Sequence, residues 1–220
     1  MNYRMGQTVE KLKALQKADG SWSWFNGMQG SRLVTTQVVE LLARLKSMHI
    51  MADAQVAGMY LKGLNYLEKA FCQEYENLKK NKARNKSPQW PSELAVRYLY
   101  IASLDAMAGE KVNKAAKEYM VSKLENRFAT YSIYEKALIA RILQAQGKRT
   151  QAEILVRSIK EYTVVTPEMG RYFDTPKAGY AWNGYRIPTQ VAAMEAIQCV
   201  EKDEEMLEEM KLWLLKQKQV

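Results

Sequence analysis

Apolar residues recur at helical spacing along most of this chain, and the stripes they draw predict nine helices and one hairpin. The first helix is expected from about Asn2 to Lys17, with Val9, Leu12 and Leu15 or Gln16 along one side and Asp19-Gly20 as its stop. The second is expected to be capped near Ser31, with Val34, Val38, Leu41, Leu42 and Leu45 on one face. The third is long, from about Asp53 to Ala83. Its Val56, Tyr60, Leu64, Leu67, Phe71, Tyr75 and Leu78 step by threes and fours without drift, and Arg84 to Pro91 breaks it.

Ser92 is a good cap for a fourth helix carrying Leu94, Tyr98, Ile101 and Leu104, with Gly109 as its end. A fifth is expected over about Val112 to Arg127, a sixth over Ser132 to Gln146 and a seventh over Arg149 to Tyr162, with Gly147 as the left-handed joint between the last two. Short connections imply that consecutive helices fold back antiparallel. The pattern changes over 163–188. Thr163-Val164-Val165 and Arg171-Tyr172-Phe173 flank Pro167-Glu168-Met169-Gly170, a hairpin signature, and a non-helical run with Tyr180, Trp182 and Tyr185 follows. An eighth helix is expected from near Thr189, with Val191, Met194, Ile197 and Cys199, and a ninth from about Glu204 to Lys216. No linker-like stretch divides the chain, so one all-α domain over 1–220 is expected.

One phrase occurs twice. Asp19-Gly20-Ser21-Trp22-Ser23-Trp24-Phe25-Asn26-Gly27 is followed by Thr36-Gln37-Val38, and Tyr180-Ala181-Trp182-Asn183-Gly184-Tyr185 by Thr189-Gln190-Val191. Each time an aromatic, glycine-bearing turn leads into a helix opening on Thr-Gln-Val. That recurrence suggests stacked helical units, each burying its inner face on its neighbours.

Charge and cysteine change this picture little. The net charge is +9, with a cluster at Lys79, Lys80, Lys82, Arg84 and Lys86. It reads as a solvated helix end, where cations complement the dipole. A nucleic-acid or lipid patch is the lesser reading, because no aromatic residues interleave with these lysines. Cys72 and Cys199 lie in apolar helical patterns and are expected as buried free thiols, and with a single histidine, His49, they make no metal spacing. His49 itself reads as a packed or half-exposed loop residue. The acidic run from Glu201 to Glu209 reads as a loop and a helix start. No apolar run approaches a membrane span, and Met1 to Gly6 lacks the apolar core of a secretory signal.

The segment Lys11 to Trp22 resembles the glutamine–tryptophan repeat of α/α toroids, barrels of two concentric helix rings. There a glutamine at a helix end ties down the loop and a tryptophan stacks on it, roles that fall to Gln16 and Trp22. Asp19 to Phe25 followed by Thr35-Thr36-Gln37-Val38 resembles the early toroid of bacterial α2-macroglobulin-like proteins. Ser158 to Tyr162, Glu168 to Tyr172, Pro188-Thr189-Gln190-Val191 and Glu208 to Gln219 resemble the same family's late toroid, over nearly the whole chain and in the same order. The chain departs from that pattern at Phe173, where the family often has tryptophan, and at Pro188, where it has glutamate.

The resemblance implies an α/α toroid of antiparallel helix pairs, incomplete at both ends, with a small hairpin insertion: most of one domain of a much larger protein. It implies protease trapping by the parent in the periplasm or cell envelope, or after secretion, with other parental domains and target proteases as partners. A monomer needing no cofactor, metal or nucleic acid is implied as well. The family's chemistry is a thioester between a cysteine and a glutamine three positions on. Cys72 has Tyr75 there and Cys199 has Lys202, so neither qualifies and no catalytic residue is expected. The Asn26 to Val34 stretch also lacks the acyl-relaying histidine of complement, which implies direct reaction with amines for any thioester in the parent. A carboxylate pair such as Glu93 and Asp105 has nothing in its spacing to mark it. The candidate binding set is Trp22, Trp24, Phe25, Tyr180, Trp182 and Tyr185, which either plug a barrel end or bind a partner. The candidate structural set is Gln16, Asp19, Gly20, Thr36, Gln37, Thr189 and Gln190. The main competing reading is a stand-alone helical-repeat module binding a protein or glycan through its aromatic end, and a third is a toroid enzyme whose site the sequence does not mark.

Overall fold

The structure, a computed structural model, describes residues 2–49, 54–125, 128–175 and 186–217. Among them are ten α-helices and one two-stranded antiparallel sheet, the mostly helical class with a small hairpin that the stripes predict. The chain forms two compact units, residues 1–120 and 121–220. No helix of the described residues is long and apolar enough to cross a membrane.

The first unit holds α1 (Asn2–Leu15), α2 (Arg32–Ser47), α3 (Ala54–Ala83), α4 (Glu93–Leu104) and α5 (Ala106–Lys111), and α6 (Lys114–Leu124) runs out of it. The α3 stripe is the core: Val56, Tyr60, Leu64, Leu67, Phe71 and Leu78 are buried, and α2 and α4 pack beside it. Tyr75 is half-buried with its ring edge on Tyr119. Each fully buried Leu or Phe removes apolar area worth about 1.5–3 kcal/mol. Caps set the starts. Ser31, Ser92 and Asp105 accept from the backbone N–H three residues on, at Val34, Ala95 and Ala108.

The second unit holds α7 (Ile133–Ala145), α8 (Arg149–Lys160), β1 (Thr163–Thr166), β2 (Gly170–Phe173), α9 (Arg186–Val200) and α10 (Glu204–Gln217). Ser132 and Glu135 form a reciprocal capping box on α7. Gly147, at φ +73°, stands where the joint between α7 and α8 was expected. The hairpin has the expected strands, paired from Thr163 with Phe173 to Thr166 with Gly170. The α9 helix packs on both α7 and α8, and α10 on β2 and α9.

Several expected boundaries and faces are corrected. The fourth helix ends at Leu104, not Gly109, because Asp105 turns extended (φ −132°, ψ 124°) and its carboxylate starts a new short helix that contains Gly109. The fifth predicted helix begins at Lys114, where the Asn113 side chain accepts from Ala116 N–H, rather than at Val112. The eighth starts at Arg186, three residues early, since Pro188 in a first turn has no N–H to leave unbonded. On α2 the buried face is Thr35, Thr36, Val39, Glu40, Leu42 and Ala43, and Leu41 is exposed. Glu40 is admitted because Arg97 Nε donates to it at 2.8 Å and Arg44 joins them. On α9 the buried face is Ala192, Ala193, Ala196, Ile197 and Val200, while Val191, Met194 and Cys199 are half-buried. Small side chains there permit close approach of the neighbouring helices.

Candidate functional site

The first corner is built by residues 16–35. After α1, the Gln16 amide Nε2 donates to Gly20 C=O at 3.0 Å and to Met59 C=O on α3 at 2.9 Å. One side chain therefore fastens the loop to itself and to the long helix, the tying role the resemblance implies for Gln16. Gly20 sits at φ +89°, and a Cβ there would meet Lys62 C=O at 2.2 Å, so only glycine lets the corner lie against α3. Asp19 Oδ1 accepts from Ser21 hydroxyl at 2.7 Å and from Ser21 N–H at 3.0 Å, and these two bonds hold its carboxyl below the ordinary value. Trp22 is 2% exposed, and its indole N–H donates to Leu12 C=O at 2.9 Å. Its backbone N–H donates to Thr35 Oγ1 at 2.9 Å, and its C=O accepts from Ser31 N–H at 2.7 Å, which pinches the loop into a neck.

Beyond the neck the aromatic set divides. Trp24 is 58% exposed, Phe25 72% and Met28 48%, so they plug nothing within their own unit. Tyr180, Trp182 and Tyr185 lie outside the described residues.

A second corner repeats the device. Gln190 Nε2 donates to Arg171 C=O at 2.8 Å and to Met210 C=O at 3.3 Å. Gly170 (φ +72°) has Glu209 C=O at 2.3 Å from where its Cβ would be. Both corners thus press a positive-φ glycine onto a helix backbone and tie loop to helix with one amide, half-buried at Gln16 and buried at Gln190. The repeated Thr-Gln dipeptides, however, are not equivalent. Thr189 and Gln190 are both buried; Thr36 is buried and bonds back to Arg32 C=O, but Gln37 is exposed. The buried pair in the first copy is Thr35-Thr36, one residue earlier.

A further feature of the first unit is an open groove of about 710 Å³ between the end of α3, Arg32 and the loop before α4. On its α3 side stand Gln73, Asn77 and Asn81, with Lys80 and Arg84 beside them, and across it Pro88 and Trp90. Glu74 is neutralised within the wall, accepting from Arg32 Nη1 at 2.6 Å and from Ser92 N–H at 2.7 Å and hydroxyl at 2.9 Å. The sequence pattern marks only the lysines of this wall. The spacing of the three amides, four residues apart, was the available signal.

Among groups with chemical potential, Cys72 is half-buried, not fully buried as expected, and so is Cys199; both are free thiols. Burial, with Glu68 accepting from Cys72 Sγ at 3.1 Å, pushes the Cys72 thiol up to about 12, far from thiolate reactivity. His49 is exposed at φ 57°, beside Lys46 and Asp105 in a shallow groove. Asp105 is held by Lys46 Nζ at 2.7 Å and Tyr60 hydroxyl at 2.9 Å, and Glu93 belongs to α4's first turn. No protein-family model matches the chain, and no curated protein matches it.

Proposed function

We propose that this chain is a non-catalytic α/α-toroid, thioester-type domain of a bacterial α2-macroglobulin-like protein whose parent inhibits endopeptidases by trapping them. The observation that carries this reading is the first corner. Gln16 ties loop and long helix together, the role the resemblance gives it, beside a buried Trp22. The Gln190 corner supports it, because a ring of helix pairs needs the same joint repeated. In this reading the domain is a rigid docking body that shields a reactive site while bait cleavage rearranges the parent around it. Its partners are other parental domains and, through them, proteases, in the periplasm or cell envelope.

The test uses the full protein encoded around this segment, mixed with a broad-specificity endopeptidase. Expected are a protease-bearing complex on native electrophoresis and loss of activity on protein substrates, with small-peptide hydrolysis retained. Full protein-substrate activity with no complex overturns the trap. A second reading, a stand-alone helical module that binds a protein or glycan through its aromatic end, is favoured by the exposure of Trp24, Phe25 and Met28. Replacement of Trp24 and Phe25 by serine separates the two readings: it abolishes partner capture in the second and leaves trapping intact in the first.

A further inference from the structure

The groove at the basic end of α3 has an order that a solvated helix end does not need. Gln73, Asn77 and Asn81 stand at i, i+4 and i+8, so they step along one face at about 6 Å. Gln73 Nε2 donates to Asn77 Oδ1 at 3.2 Å, and Asn81 Nδ2 donates to Pro88 C=O at 2.9 Å. Those bonds leave Gln73 Oε1, Asn77 Nδ2 and Asn81 Oδ1 with no partner among the described residues: acceptor, donor, acceptor. An extended peptide offers backbone N–H and C=O along one edge every second residue, about 6.6–6.8 Å apart. The two periods agree within the reach of an amide side chain.

The charges beside the C-terminal half of this ladder are positive, while the exposed Glu76, one turn before Lys80, stands outside the groove lining. Lys80 and Arg84 are exposed beside it, and Lys82 and Lys86 follow. Among the described residues the one carboxylate lining the groove, Glu74, is already bonded to Arg32 and Ser92. Trp90, half-buried across the groove, supplies a single aromatic wall. A single-strand nucleic-acid site would present several stacking faces along its track, and among the described residues this groove is lined by one, Trp90. We infer that the α3 groove is a docking site for an extended acidic peptide segment, with its backbone read by Gln73, Asn77 and Asn81 and its carboxylates by Lys80 and Arg84. Affinity comes from the amide pairing, and charge steers the encounter.

The probe is a fluorescent peptide of alternating aspartate and serine, titrated into the protein and followed by anisotropy at low ionic strength. Saturable binding that weakens with salt is expected. Asn77→Ala, which removes one exposed amide, weakens it about five- to tenfold, a loss of roughly 1 kcal/mol of hydrogen bonding. The pair Lys80→Gln with Arg84→Gln weakens it at least about tenfold, and circular dichroism melts of both variants stay close to the parent chain because all three side chains are exposed and no charge is reversed at the helix end. The decisive arm is the same peptide methylated on alternate backbone nitrogens, which keeps its charge and loses its donors; its affinity falls at least about tenfold. Equal binding of the methylated peptide, absence of binding, or tighter binding of oligothymidylate or a sulfated oligosaccharide of equal charge each overturns the inference.

Discussion

At the residue scale, two glutamines that look alike in sequence have opposite consequences. Gln190 bridges two carbonyls from a buried position, whereas Gln37 is exposed. Gln190→Ala is therefore expected to destabilise by about 1–3 kcal/mol, as is Gln16→Ala, since each strands two buried or half-buried acceptors. Gln37→Ala stays within about 0.5 kcal/mol. Urea unfolding of the three variants checks this; equal losses would mean that the dipeptides, not the bridges, matter. Gly20→Ala is the harsher change. It combines a left-handed backbone, costing about 1–2 kcal/mol for a residue with Cβ, with a collision against Lys62 C=O. A second buried device is the Glu40–Arg97 pair, whose side chains are 9% and 6% exposed. Removing Arg97 alone leaves the buried carboxylate only the longer Arg44 contact at 3.3 Å and is expected to cost about 2–3 kcal/mol, less than the roughly 3–5 kcal/mol of a fully unpaired charge, while replacing both by apolar residues restores most of it; a double-mutant cycle on melting temperature measures the difference.

At the element scale, caps decide where helices begin. Ser132→Ala breaks the box with Glu135 and is expected to cost about 1 kcal/mol, read as a lowered melting temperature and faster amide exchange in the first turn of α7. The same scale shows what was legible in the chain. The α3 stripe, the serine caps, Gly147 and both strands of the hairpin follow from local chemistry, because apolar spacing, hydroxyl caps and turn residues act over a few residues. The split at Asp105 was not legible, since a residue that caps one helix reads equally well inside a longer one until Lys46 and Tyr60 fix its carboxylate from afar. Nor was the α9 face, where alanines do the packing and period counting favours the larger Val191 and Met194. At the corner, Gln16 and Trp22 could be placed from sequence, while the shift from Thr36-Gln37 to Thr35-Thr36 depends on which hydroxyl meets the Trp22 N–H. The amide ladder escaped because hydrophobic periodicity assigns no weight to polar side chains.

At the scale of the whole molecule, ionised pairs set a window of pH. Burial pushes the Asp105 carboxyl up, but its bonds from Lys46 and Tyr60 outweigh that and leave it below its ordinary 3.8. Asp203, bonded chiefly by Lys160, shifts the same way. A depressed carboxylate stabilises fully above its unfolded value and less as pH falls through the folded one, so stability is expected to decline below about pH 4. Burial raises the Tyr60 and Tyr98 hydroxyls above 10.0, and these contributions are lost as pH rises past that value. Unfolding free energies across pH should form a plateau between the two limits, and Asp105→Asn should flatten its acid edge; an unchanged edge would assign acid lability to other carboxylates. The pinched neck at Trp22 and Ser31 has a different kind of consequence. Because the scaffold's bonds close behind residues 23–29, that stretch behaves as an exchangeable cassette: foreign sequences spliced between Trp22 and Gly30 should be displayed on an undisturbed frame. Gly30 itself must be kept, since any side chain there would strike the Ser21 hydroxyl.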